Sequence, residues 1–230
     1  MRPVTTALVI ENDPAEHLGR VGDWLAEAGM EFDVLRPHAG EEVPGTPGGH
    51  DAVVALGGGL GEEWTGDLVG LLECAVADAT PTLALGSSAM LLAEAFGGAS
   101  EPSEDANGPR MLAKRDAAGH DQLFGPAPMT LDVFRWRSRE LVSLPEEATL
   151  LAGSPYGSLD VFRVREAAWG VQSRFELTPG QLAEFGVFDE TALAKAADID
   201  VHIVETWRPI VRRFARIATG ERRALPVVDA

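Results

Sequence analysis

The stretch PTLALGSSAMLLAEAFG, residues 81–97, reads as a buried strand that runs straight into a helix through a turn of small residues. Turns of this shape hold a catalytic nucleophile at their tip, beside helix N-terminal amides that favour negative charge. Here the tip is Gly86, which has no side chain, and Ser87 and Ser88 follow it. Either serine could be a nucleophile if the turn slips by one or two positions, but it would need a base within reach. Both are equally suited to capping the helix that begins there. The only cysteine, Cys74, lies at helical spacing among apolar neighbours in VGLLECAVADA, the setting of a small buried residue and not of a reactive thiol. A second glycine cluster, LGGGLG at 56–61, either turns the chain or offers the amides of Gly57 and Gly58 to a ligand. In FRWRSRE, residues 134–140, Arg135, Arg137 and Arg139 alternate, and on a strand they would share one face.

These residues need a scaffold, and the pattern supplies one. TTALVIEN, EFDVLRP, HDAVVALGGGLG and PTLALG read as strands, the first with the β-branched run of a strand buried on both faces. Between them Leu18, Val21, Trp24, Leu25 and Ala28 recur at helical spacing, a second helix covers about 67–78, and a third about 88–96. Alternating strands and helices imply a parallel sheet with helices on both faces, whose ligands bind beyond the carboxyl ends of the strands. Both glycine clusters fall there. After the polar loop ASEPSEDANGP, short strands separated by turns (RMLAKRDA, MTLDVFRW, ATLLAG, LDVFRVRE, AAWGVQS) predict an antiparallel extension of the same sheet. LTPGQLAEFG begins a short helix with Pro179 in its first turn, and residues 189–219 form a long one that Pro209 is placed to kink. Its stripe of Leu193, Ala197, Val201, Val204, Trp207, Val211, Phe214 and Ile217 either covers the sheet or serves self-association, so a homo-oligomer is allowed. The expectation is one domain over 1–219 and a loosely held tail over 220–230.

Composition narrows the function. A net charge of −17 speaks against nucleic acid, which needs a basic stripe. No apolar run approaches the roughly 20 residues of a membrane span, and the N-terminus turns acidic before any signal-like stretch, so a soluble cytoplasmic protein is expected. One cysteine leaves no disulfide framework and no thiol metal site, and neither metal nor cofactor is expected. The five tryptophans, Trp24, Trp64, Trp136, Trp169 and Trp207, are scattered and read as packing.

With these elements placed, the sequence resembles the class I glutamine amidotransferases, in particular stand-alone members related to the glutaminase domain of GMP synthetase. ALVIENDPAEHLGRVGDWLAEAGMEFDVLRP, DAVVALGGGLG, PTLALGSSAMLLAEAFGG, FRWRSRELVSLPEEATLLAGS and AWGVQSRFELTP carry the resemblance, which spans most of the chain. It implies a flavodoxin-like three-layer α/β sandwich, mostly parallel, with an antiparallel extension. It also implies a chemistry: a cysteine attacks the amide carbon of glutamine, a histidine moves the proton, a carboxylate orients the histidine, and backbone amides hold the oxyanion.

Carried over residue by residue, that chemistry is broken. Gly86 stands at the cysteine position, Ser88 where a glycine is usual, and Arg174 at the histidine position in VQSRFE. An arginine cannot act as a base near neutral pH. Glu176 keeps the acid position, and Gly57 and Gly58 keep the oxyanion region. Arg137 replaces a histidine and Asp160 a glutamine. None of His17, His38, His50, His120 and His202 lies in the stretch that should supply a base. Loss of nucleophile or base from a comparable triad costs on the order of 10⁶-fold in turnover. The expectation is therefore a glutamine amidotransferase-like protein without glutaminase activity, serving as a ligand-binding, regulatory or assembly subunit. The alternatives are an enzyme of different chemistry in the same pocket, with Glu176 retained, and an active hydrolase using Ser87 or Ser88. Gly57, Gly58, Ser87, Ser88 and Arg137 are the candidate ligand-binding residues. The replacements suggest a small anionic or glutamine-like ligand at the old site; otherwise Arg174 fills it and pairs with Glu176. A synthase or other protein partner fits the resemblance.

Overall fold

The computed structural model describes residues 4–103 and 107–220; the expected tail beyond 220 lies outside the described residues. The first half is built from β1 (Thr5–Ile10), α1 (Gly19–Glu27), β2 (Met30–Leu35), β3 (Ala52–Ala55), α2 (Thr65–Ala77), β4 (Thr82–Leu85) and α3 (Ser87–Ala95). The second contributes β5 (Ala99–Pro102), β6 (Gly108–Lys114), β7 (Thr130–Arg135), β8 (Arg139–Ser143), β9 (Ala148–Gly153), β10 (Val161–Val164), β11 (Ala168–Val171), α4 (Pro179–Glu184) and α5 (Glu190–Ala218).

Nine strands form one sheet in the order β2-β1-β3-β4-β11-β10-β9-β6-β7. The block from β2 to β11 is parallel, and the pairs from β11 to β7 are antiparallel. The parallel block has the flavodoxin-like order with β11 as its fifth strand, and its order reverses at β1 and β3, where a crevice opens beyond the strand ends. AWGV therefore belongs to the parallel block, although it arrives last in sequence.

The two faces are separated by strict alternation. Val9, Val54, Leu83, Trp169 and Val171 point to a core closed by Val21, Trp24 and Leu25 of α1 and by Trp207, Val211 and Phe214 of α5. Leu8, Ile10, Val53, Ala55 and Ala84 point to the other, closed by Leu68, Leu71 and Leu72 of α2 and Ala89 and Leu92 of α3. Burying a side chain of this size contributes about 1.5–3 kcal/mol. A smaller cluster of Phe134, Leu177, Leu182 and Ala196, with Trp136, Phe185 and Phe188 against it, packs α4 and the start of α5 over the rim of the crevice.

Other expectations change as well. The seam of α5 runs through Ala196, Ile203, Trp207, Ile210, Val211 and Phe214, while Ala197 is exposed and Val201 is 54% exposed. The first turns of α5 lean on the small rim cluster through Ala196, so the stripe turns away from the phase read in the sequence. Pro209 sits on the exposed side of a helix that continues through it. Arg135, Arg137 and Arg139 do not share a strand face either. Phe134 exchanges two backbone hydrogen bonds of 2.8 Å with Arg174, β7 ends one residue later, and after a turn β8 pairs with β5 in a separate two-stranded ribbon. Among the described residues no helix is long and apolar enough to cross a membrane.

Candidate functional site

The crevice is lined by the segments that leave the carboxyl ends of β1, β3, β4 and β11. Gly86 leaves β4 with φ 58° and ψ −124°, a backbone that side chains rarely adopt, and its amide donates to the carbonyl of Val171 at 2.9 Å. This is the sharp strand-to-helix elbow anticipated from the sequence, and its tip is the glycine. A Cβ placed there would lie 3.4 Å from Nη1 and 3.5 Å from Cζ of Arg174, and 3.3 Å from the Cα of Gly57. The guanidinium lies in van der Waals contact with the place where a nucleophile's side chain would start.

Ser87 and Ser88 do not cap α3, which has no side-chain cap. Ser87 Oγ donates to the carbonyl of Gly58 at 2.8 Å, and Ser88 Oγ donates to that of Leu56 at 2.6 Å. Asn12 Nδ2 donates to the same Leu56 carbonyl at 2.8 Å. The carbonyls of the glycine loop outcompete the helix amides for these hydroxyls, and the loop after β3 is stitched to the elbow. Gly58 and Gly59 have φ of 84° and 73°, and a Cβ on either would strike Asp13 or Asn12, so close approach of the β1 loop requires glycine here.

Arg174, 4% exposed, is held by two carboxylates. Its Nε donates to Glu176 Oε1, and its Nη2 donates to Glu16 Oε2 at 2.5 Å. Its guanidinium also lies 5.6 Å from the ring centroid of Trp136, which is itself wedged against Phe185 at 4.0 Å. Burial alone would pull the pKa of Arg174 down, but the charges of Glu176 and Glu16 more than reverse this, so the guanidinium stays protonated over all accessible pH. Glu176 is 2% exposed, and its second oxygen accepts the amide of Phe175 at 2.9 Å. Both its oxygens are engaged. The pairing of Arg174 with Glu176 was anticipated; Glu16 was not. Its signal was positional, since ENDPAEHL follows β1, one of the strands flanking the point where the sheet order reverses.

A second buried pair lies beside the first. Arg137 Nη1 donates to Asp160 Oδ1 at 2.6 Å, and Ser173 and Ser158 also donate to that carboxylate. Burial pushes the Asp160 carboxyl up, while Arg137 and the two hydroxyls outweigh it and leave it below the usual carboxylate range. Arg135 is engaged by Glu140 and Ser103, and Arg139 donates to the Ser100 carbonyl at 2.8 Å. The arginines of FRWRSRE thus hold the ribbon and the second half of the chain together.

Between these pairs and the elbow lies a cleft of about 490 Å³ bounded by Glu16, Gly58, Gly86, Ser87, Trp136 and Arg174, with Arg137 and Gln172 on its far wall. Gly57 lies beneath it, and a Cβ there would run into the Glu16 carboxylate. Ser88 is fully buried behind it. The structure therefore gathers the sequence-derived candidates around one cleft.

No protein-family model and no curated protein matches the sequence. Solved structures do. A glutamine amidotransferase from Thermotoga maritima matches with a TM-score of 0.78 and 22% identity, over 92% of this chain and 98% of that one. A glutamine amidotransferase from Methylobacillus flagellatus matches with a TM-score of 0.79 and 21% identity, over 99% of both. A protein from Thermoplasma acidophilum described as a GMP synthase subunit matches with a TM-score of 0.67 and 17% identity, over 95% of this chain and 96% of that one. With nearly the whole of each chain covered at these TM-scores, the chain has the fold of the class I glutamine amidotransferases.

Proposed function

We propose that this chain is a glutamine amidotransferase-like protein that no longer hydrolyses glutamine and acts in the cytoplasm as a ligand-binding, regulatory or assembly subunit. One observation carries the reading: the guanidinium of Arg174 lies within 3.5 Å of where a Cβ on Gly86 would stand. A permanent cation stands beside the place of the nucleophile, and that cation is tied to Glu16 and Glu176. The guanidinium cannot accept a proton from a nucleophile, and both carboxylates beside it are engaged as its ion-pair partners. Oxyanion-side backbone survives in Gly57, Gly58 and the uncapped first turn of α3, but donors to an oxyanion do nothing for a bond that is never attacked.

The test is ammonia release from glutamine, measured for the unmodified protein and for Gly86→Cys combined with Arg174→His. The expected result is no release above background from the first. Ammonia from the unmodified protein would overturn the proposal; release from the double variant alone would support the assignment of the two positions.

A further inference from the structure

The two carboxylates on Arg174 are not equivalent. Glu176 is two residues away on the same segment, is 2% exposed, and is pinned by the amide of Phe175. Glu16 comes from the loop between β1 and α1. That loop is anchored at its ends, where Asn12 donates to Leu56 and the Leu18 amide donates to Glu11 at 2.9 Å. Between those anchors the backbone and side-chain bonds are local: the Glu16 amide to the Asp13 carbonyl at 3.1 Å, and the Ala15 amide to Asp13 Oδ1 at 2.8 Å. The Glu16 side chain reaches out of the loop to Arg174. Its carboxylate sits over Gly57, beside the elbow and the open volume.

One guanidinium needs one carboxylate for neutrality, and Glu176 provides it. The second carboxylate gives the triad a net negative charge in a buried setting, which is costly unless that position is built for an anion. It is: the Glu16 carboxylate is held between the guanidinium edge of Arg174 and Gly57, the glycine at the base of the β3 loop. We propose that Glu16 is an internal occupant of a carboxylate-binding position, and that a carboxylate group of a small free ligand takes its place on Arg174 when the loop of residues 13–17 releases it. This rests on the ligand-binding form of the function proposed above. A cleft of about 490 Å³ is of the size that small-molecule sites have.

A tethered competitor acts at an effective concentration of millimolar order or higher, so the unmodified protein binds free carboxylates weakly. Removing Glu16 removes the competitor and still leaves Arg174 paired with Glu176, so no buried charge is orphaned. The experiment is calorimetric titration of the unmodified protein, Glu16→Ala and Glu16→Gln with acetate, L-glutamate and inorganic phosphate at constant ionic strength, with melting temperature read alongside. The expected result is at least about tenfold tighter binding of acetate or glutamate to Glu16→Ala than to the unmodified protein. The ligand should raise the melting temperature of that variant. Glu16→Gln, which keeps the shape and loses the charge, should tighten in the same direction, and it decides the matter if Glu16→Ala does not fold. No tightening in either variant overturns the proposal. So does tightening that survives addition of Arg174→Met, or equal tightening for phosphate. Ammonia release bears only on the loss of hydrolysis, so failure of one reading does not mimic failure of the other.

Discussion

Arg174 and Gly86 meet because their strands are neighbours: Val171 of β11 is in register with Leu85 of β4, and the Gly86 amide donates to the Val171 carbonyl. Gly86, one residue past β4, and Arg174, three residues past β11, are thereby held close by the sheet itself. Whatever occupies one position is felt at the other.

Gly86→Cys alone should therefore be destabilising and still inactive. A non-glycine residue at φ 58° costs on the order of 1–3 kcal/mol, and the new side chain meets the Arg174 guanidinium. Chemical denaturation should show the loss, and thiol alkylation of the folded variant should be slow at position 86 compared with the Gly86→Cys, Arg174→His double variant.

Arg174→Met should be the most damaging change at the cleft. It strands the carboxylates of Glu16 and Glu176 without their cation, and breaking a buried pair from one side costs about 3–5 kcal/mol. Combining it with Glu16→Gln and Glu176→Gln should recover a large part of that loss. A urea series on the single and triple variants measures both.

Asp160 sets an acid limit. Its folded-state carboxyl lies below its ordinary value, so the unfolded chain takes up the proton first as pH falls. Its contribution is complete above about pH 4 and disappears as pH drops through the folded value. Asp160→Asn should lower stability at pH 7, where Arg137 loses its closest partner, and should flatten the fall below pH 4. Urea midpoints between pH 3 and 7 for the two proteins test the sign.

Trp207→Ala should cost about 3–5 kcal/mol. The ring is fully buried, stacks on Phe175 at 4.0 Å, and donates from Nε1 to the Asp132 carbonyl at 2.9 Å. Because Phe175 lies between Arg174 and Glu176, the variant should also loosen the cleft. Faster hydrogen exchange at the Phe175 amide would register this.

The parallel half of the fold and its glycine elbows were legible in the sequence because buried strands and helix periods leave local signatures. Arg174 and Glu176 were legible as a pair because they are two residues apart. Glu16 was not, since a loop residue becomes a site residue only through a crossing that periodicity does not encode. The serines misled for the opposite reason: a hydroxyl at a helix start is an ordinary cap, and only the nearby carbonyls of Leu56 and Gly58 draw it elsewhere. FRWRSRE alternates like a strand, yet the Phe134 to Arg174 bridge ends β7 at Arg135 and sends the chain into a turn.

The position of β11 carries a consequence for how the molecule comes into being. β4 and β11 are adjacent in space but stand at 82–85 and 168–171 in the chain. During synthesis the apolar TLAL strand must wait, one edge unpaired, until most of the protein has been made. Loop closure over that distance slows the step, and an open apolar edge invites association with other chains. Truncations ending before residue 168 should therefore aggregate, and the cleft should be among the last parts of the molecule to form.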